Sequence, residues 1–89
     1  MRLDLFLKQT GLVKRRPIAK AMCDADKILR NGRPSKAGDE VRAGDKLRIH
    51  YGVRTVDVEI LAVPSGNVGK AQREQFFRIT GEQREEDEF

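Results

Sequence analysis

Residues 46–63, KLRIHYGVRTVDVEILAV, read as two short strands joined at a tight turn. Leu47, Ile49 and Tyr51 alternate with Lys46, Arg48 and His50. Beyond Gly52, the residues Val56, Val58, Ile60 and Ala62 alternate with Asp57, Glu59 and Leu61. A period of two sends the apolar set to one face of a strand and the polar set to the other. Two such runs around a glycine predict an antiparallel hairpin with one apolar face.

Upstream the period changes. RLDLFLKQTGL, residues 2–12, places Leu3, Phe6 and Leu7 on one helical face, with Asp4 in the first turn and Gly11 as a stop. A second helix is expected from LVKRRPIAKAM, residues 12–22. Pro17 suits its first position, Arg16 becomes the cap, and Ile18, Ala21, Met22 and Ala25 form an apolar stripe. Asn31-Gly32 is a tight-turn signal, and Gly38-Asp39 and Gly44-Asp45 are further breaks, so short strands follow. Downstream of the hairpin, residues 64–75 read as a polar loop with one helical turn, and FFRIT at 76–80 as one more strand. The segment 81–89, GEQREEDEF, has five acids in nine residues and reads as a flexible, disordered acidic tail. The expected organisation is a single α+β domain over 1–80 that includes the hairpin extension, followed by the tail at 81–89.

The 89 residues are 38% hydrophobic and 6% aromatic, enough for a modest core rather than a pocket-bearing enzyme interior. Charge is divided unevenly: residues 1–54 hold 14 Lys/Arg against 6 Asp/Glu, whereas residues 55–89 hold 4 against 8. A body at +8 with an end at −4 fits a polyanion partner. The single Cys23 excludes a disulfide framework and a cysteine metal cluster, as expected for a reducing cytoplasm. No run approaches the roughly 20 apolar residues of a membrane span, so no membrane partner is expected. His50 sits on the polar phase of its strand, Cys23 reads as a small semi-buried hydrophobe, and SGNVGKA at 65–71 lacks the spacing of a phosphate loop. No catalytic residue, cofactor or metal ligand is expected; the class is a binding module.

Lys14, Arg15 and Arg16 stand where a helix prefers anions. Its dipole leaves about half a positive charge there, so each exposed cation costs about 0.3–1 kcal/mol. Helix starts are anion sites, so the compensating charge can belong to another molecule. On this reading Arg16 is expendable for stability, and a serine in its place would improve the cap. A merely solvated basic turn is the alternative.

RLDLFL at 2–7, Leu12, KRR at 14–16, Ala19, Met22-Cys23, Ile28, NG at 31–32, Lys36, Val41 and GDKLRI at 44–49 together resemble the S-four RNA-binding domain, named after a ribosomal small-subunit protein. The resemblance spans residues 2–52. It implies two short helices packed on a small, bent, mainly antiparallel sheet, with helix residues and an adjoining loop forming the RNA surface. The implied RNA-binding residues are Arg2, Lys8, Lys14, Arg15, Arg16, Lys20 and Lys36. Two positions depart from the pattern. Asp26 replaces a glycine before the first strand, and Asp tolerates the left-handed conformation needed there. Arg30 replaces an apolar strand residue, which means either a shallower strand or an added phosphate contact.

The stand-alone length, the hairpin and the charged tail look most like the ribosome-associated heat-shock branch of that family. That resemblance implies a cytoplasmic factor, monomeric off the ribosome, that binds large ribosomal subunits obstructed by peptidyl-tRNA. It implies contacts with large-subunit rRNA and tRNA, and support of C-terminal tailing of the stalled nascent chain with an RqcH-like factor. Salvage of obstructed subunits without tailing, an rRNA-binding assembly factor, a protein-binding adaptor and an accessory subunit of an enzyme are the alternatives.

Overall fold

A computed structural model describes residues 1–84. The helices α1 (Leu3–Gln9) and α2 (Arg16–Asp24) are followed by β1 (Ile28–Arg30), β2 (Arg33–Pro34), β3 (Lys46–Tyr51) and β4 (Arg54–Ile60). A 3-10 helix (Lys70–Gln75) then leads into β5 (Phe77–Arg84). The strands form one antiparallel sheet in the order β2-β1-β3-β4-β5, and the helices share a single core with its apolar face. This is the α+β architecture that the periodicities predict.

The hairpin forms in the expected phase. Leu47 lies opposite Val58, and Ile49 opposite Val56, all four buried; Tyr51 lies opposite Arg54 across the two-residue turn Gly52-Val53. Gly52 has φ +63°, the first-position glycine that lets a tight turn follow the twist of its strands. Asn31 and Gly32 both have positive φ, 53° and 85°, as a type I′ turn between β1 and β2 requires. Asp26 takes the left-handed conformation (φ 57°) that its substitution for glycine demands.

Leu3, Phe6 and Leu7 of α1 are fully buried against Ile28, Val41, Leu47, Ile49 and Ile60. The start of α1 has no capping side chain; instead the Leu3 N–H donates to the Asp39 carbonyl (2.8 Å) and the Asp4 N–H to the Ala37 carbonyl (3.1 Å). The turn at 37–39 thereby satisfies donors that a helix cannot pair within itself.

The second helix differs from expectation in phase. It begins at Arg16 with Arg15 as its cap, so Pro17 is the second residue rather than the first. Its buried residues are Ala19 and Cys23, with Met22 partly covered, whereas Ile18 is 49% exposed and Ala21 and Ala25 are exposed. Ala19 and Cys23 lie one turn apart on one face, and their small side chains let α2 approach its neighbours closely, which the larger Ile18 would prevent. Burial pushes the Cys23 thiol up to about 11, with the carboxylates of Asp4, Asp24 and Asp39 adding to the effect, so this cysteine is a packing residue.

The last strand is longer than FFRIT. Gly81, Glu82, Gln83 and Arg84, expected as the start of the tail, pair with Asp57, Val56, Thr55 and Arg54 of β4. Main-chain pairing needs no apolar side chains, so the polar composition conceals it. The ladder shifts between Asp57 and Val58, leaving Thr80 as an extra residue whose hydroxyl donates to the Asp57 carbonyl (3.3 Å). Residues 85–89, the rest of the expected tail, lie outside the described residues. Truncation after Thr80 should therefore lower the melting temperature by about 4–8 °C, the equivalent of roughly 1 kcal/mol in a domain of this size. A melting temperature identical to that of the full chain would show that pairing over 81–84 adds nothing.

The polar loop contains its expected helical turn and docks on the end of α1. Gln9 donates to the Asn67 side chain (3.4 Å) and accepts from the Val68 N–H (3.3 Å). Arg73 lies over Gly11, where a Cβ would come within 2.8 Å of its Nη1.

Candidate RNA-binding face

The site is organised by an acid. Asp4 is 3% exposed on the first turn of α1, and its Oδ1 accepts from the Leu5 N–H (2.8 Å) and from Arg2 Nε (3.2 Å). Its Oδ2 accepts from Arg16 Nε (3.1 Å) and Arg2 Nη2 (3.5 Å). Burial alone would raise the pKa of this carboxyl, but hydrogen bonds from Arg16, Arg2 and the Leu5 N–H together hold it below the ordinary carboxylate range. The side chains of Arg2 and Arg16 are about half exposed. Arg16 uses only Nε on Asp4, so among the described residues both of its Nη atoms are without a hydrogen-bond partner.

This corrects the expectation that Arg16 is expendable for the fold. Its charge at the helix start is balanced by Asp4, twelve residues earlier, and it ties α2 to α1. No periodicity reveals such a pair, because a buried carboxylate in RLD looks the same as a solvated first-turn acid.

The other expected cations divide by position. Lys36 belongs to the turn that caps α1: the Asp39 carboxylate accepts from the Lys36 N–H (2.9 Å) and the Ser35 hydroxyl (3.0 Å), fixing the turn. The Arg2 guanidinium lies beside Gly38 of the same turn, so Lys36 and Arg2 are carried on adjoining segments. Lys20 is one turn beyond Arg16 on α2. Lys8, Lys14, Arg15, Lys20 and Lys36 are all exposed, and none makes an ion pair among the described residues.

Three arginines of β3, β4 and β5 are neutralised instead. Arg48 holds Asp57 through two bonds (2.8 and 3.2 Å), Arg54 faces Glu82 at 3.5 Å, and Arg78 pairs with Glu59. Arg30 is turned toward Asp45 (3.6 Å), and its Nε is buried without a partner among the described residues. Exposed cations without ion pairs among the described residues thus stand on both helices, on the turn between them and at Lys36, with Arg33 and Lys46 on the sheet as further ones. His50 bonds across the hairpin to the Thr55 hydroxyl (3.0 Å), a structural contact.

Two short helices on an antiparallel sheet, with exposed cations on the helices and the turn between them, fit an S4-type domain, and residues 1–47 match the S4 domain family. Similarity over most of the chain narrows the class. The RQC P-site tRNA stabilizing factor of Halalkalibacterium halodurans is 41% identical over 83 residues, 93% of each chain. The factor of the same name from Helicobacter pylori is 43% identical over 65 residues, 73% of this chain and 77% of its own. That of Bacillus subtilis is 43% identical over 60 residues, 67% of this chain and 70% of its own. The chain belongs to this family of S4-domain proteins. Among solved structures, trimeric Heat Shock Protein 15 of Vibrio cholerae aligns with a TM-score of 0.83 at 25% identity, covering 90% of this chain and 81% of that one. A hypothetical protein solved in solution aligns at 0.79 and 36%, covering 91% and 98%. No helix among the described residues is long and apolar enough to cross a membrane.

Proposed function

We propose that the protein is a cytoplasmic, non-catalytic factor that binds tRNA and large-subunit rRNA on large ribosomal subunits obstructed by peptidyl-tRNA. There it steadies the P-site tRNA and supports C-terminal tailing of the stalled chain by an RqcH-like factor. The observation that carries this reading is a cluster of exposed cations, Lys8, Lys14, Arg15 and Lys20, that make no ion pair among the described residues on α1, α2 and their turn, whereas Arg48, Arg54 and Arg78 of the sheet are each paired with an acid. The names of the relatives point to tRNA and to ribosome quality control. Recognition works mainly through the phosphate backbone. The outer nitrogens of Arg16 offer a planar fork to phosphate oxygens, already oriented by Asp4, while the lysines act as point charges. Phe6 is committed to the core, which limits stacking on aromatic rings.

If four to six phosphates are engaged, log affinity for tRNA should fall against log salt with a slope of roughly −3 to −5. A flat salt dependence rejects phosphate binding. Co-sedimentation should favour large subunits carrying peptidyl-tRNA over empty ones, and equal retention rejects the tRNA-directed part. Undiminished tailing in a reconstituted reaction without the protein rejects the role in tailing.

A further inference from the structure

Beside the basic turn lies a concavity of about 190 Å³, lined by Gly11, Leu12, Tyr51, Arg54, Ile79 and Glu82 among others. It exists because β4 and β5 carry the sheet past the helices. Glu82 lies opposite Val56 and Ile79 opposite Val58, on the core-facing phase of the sheet, yet both are more than half exposed. The floor is rigid. The Tyr51 hydroxyl donates to the Leu12 carbonyl (2.6 Å), tying the sheet to the α1–α2 turn, and the Arg54 guanidinium rests over the Tyr51 ring at 5.2 Å. One oxygen of Glu82 faces Arg54 Nε at 3.5 Å, and the other has no partner among the described residues.

We infer that this concavity is a nucleobase site that selects guanine from an RNA strand whose phosphates are held by Lys14 and Arg15. The inference rests on the RNA-binding reading above and adds a base-reading element to it. Lys14 is two residues from Leu12, so its backbone lies within about 7 Å of the rim, and a strand fixed there by phosphate contacts brings a base to the pocket. A guanidinium plane and the Ile79 side chain provide stacking and apolar surface for an unstacked base. The carboxylate decides which base. Guanine alone presents two adjacent donors, N1–H and the N2 amino group, on its pairing edge, and these match the two oxygens of Glu82. Adenine, cytosine and uracil each place an acceptor against it, and a phosphate in the pocket would be repelled by it.

The test uses two fluorescent RNA decamers, one all uridine and one with a single central guanosine, and reads binding to the full chain by anisotropy. The guanosine decamer should bind at least about fivefold more tightly, a lower bound for one bidentate base contact. Glu82→Gln should abolish the preference and weaken guanosine binding, although removal of a negative charge would by electrostatics alone strengthen binding of both probes. Arg54→Lys keeps the charge and loses the plane, so it should reduce the preference without changing the salt slope. Equal binding of the two decamers with steep salt dependence overturns the base site and leaves backbone binding standing. Tighter binding of both by Glu82→Gln at an unchanged ratio overturns it as well. No binding of either probe overturns the base site while the tRNA salt titration still decides the backbone reading, and salt-insensitive binding of both probes at equal affinity overturns the base site together with phosphate contact to the strand.

Discussion

Replacing both cationic partners of Asp4, as in an Arg2→Gln/Arg16→Gln protein, should lower stability by about 3–5 kcal/mol, because it leaves a buried carboxylate without counter-charge. Asp4→Asn should cost less, about 1–2 kcal/mol, since both guanidiniums are about half exposed and can be hydrated once released. Adding Asp4→Asn to the double variant should then recover part of the loss. Urea titrations of the four proteins form a cycle that checks this, and strictly additive losses would show that the three groups do not act together. The pH dependence has a defined sign. The Asp4 carboxyl is held below its ordinary range in the folded protein, so its contribution is complete above the unfolded-state pKa and is lost as pH falls through the folded-state pKa. The acid-induced loss of stability should therefore be smaller in Asp4→Asn than in the parent.

Lys14→Gln/Arg15→Gln should behave in the opposite way. Both side chains are exposed and without ion pairs among the described residues, so unfolding should shift by no more than about 0.5 kcal/mol. Affinity for tRNA should fall by about 2–3 kcal/mol, roughly 30- to 150-fold, and the salt slope should become shallower by about two. Parent-like affinity with a parent-like slope would remove the turn from the RNA surface. Together the two experiments separate the cations that hold the fold from those held ready for a ligand, with Arg16 belonging to both groups.

That division marks where the sequence stops being informative. Strict alternation at 46–60 and the Asn31-Gly32 turn specify the hairpin and the first strands because each depends on neighbours a few residues away. The α1 face is equally legible from Leu3, Phe6 and Leu7. The phase of α2 is not, since the choice of Ala19 and Cys23 over Ile18 depends on how closely another element approaches, not on side-chain hydrophobicity. The far end of β5 is hidden because GEQR pairs through its backbone. The cations proposed to meet RNA are named by the family resemblance, whereas their compensation by acids is not visible in the sequence. Arg16 meets Asp4, and Arg54 meets Glu82, only after the chain has folded.

The extra residue at Thr80 has a consequence for how the molecule coexists with copies of itself. β5 is the outermost strand of the sheet, and eight residues of open edge would ordinarily offer a template for another chain. The bulge bends that edge after only Phe77, Arg78 and Ile79, and Gly81 follows with no side chain to build on. Glu82 and Arg84 place charge along the remainder. A foreign strand could hold register for no more than about three residues before meeting the bend. The irregularity thus protects against edge-to-edge aggregation, and deleting Thr80 to straighten the ladder would trade a more regular strand for a stickier protein.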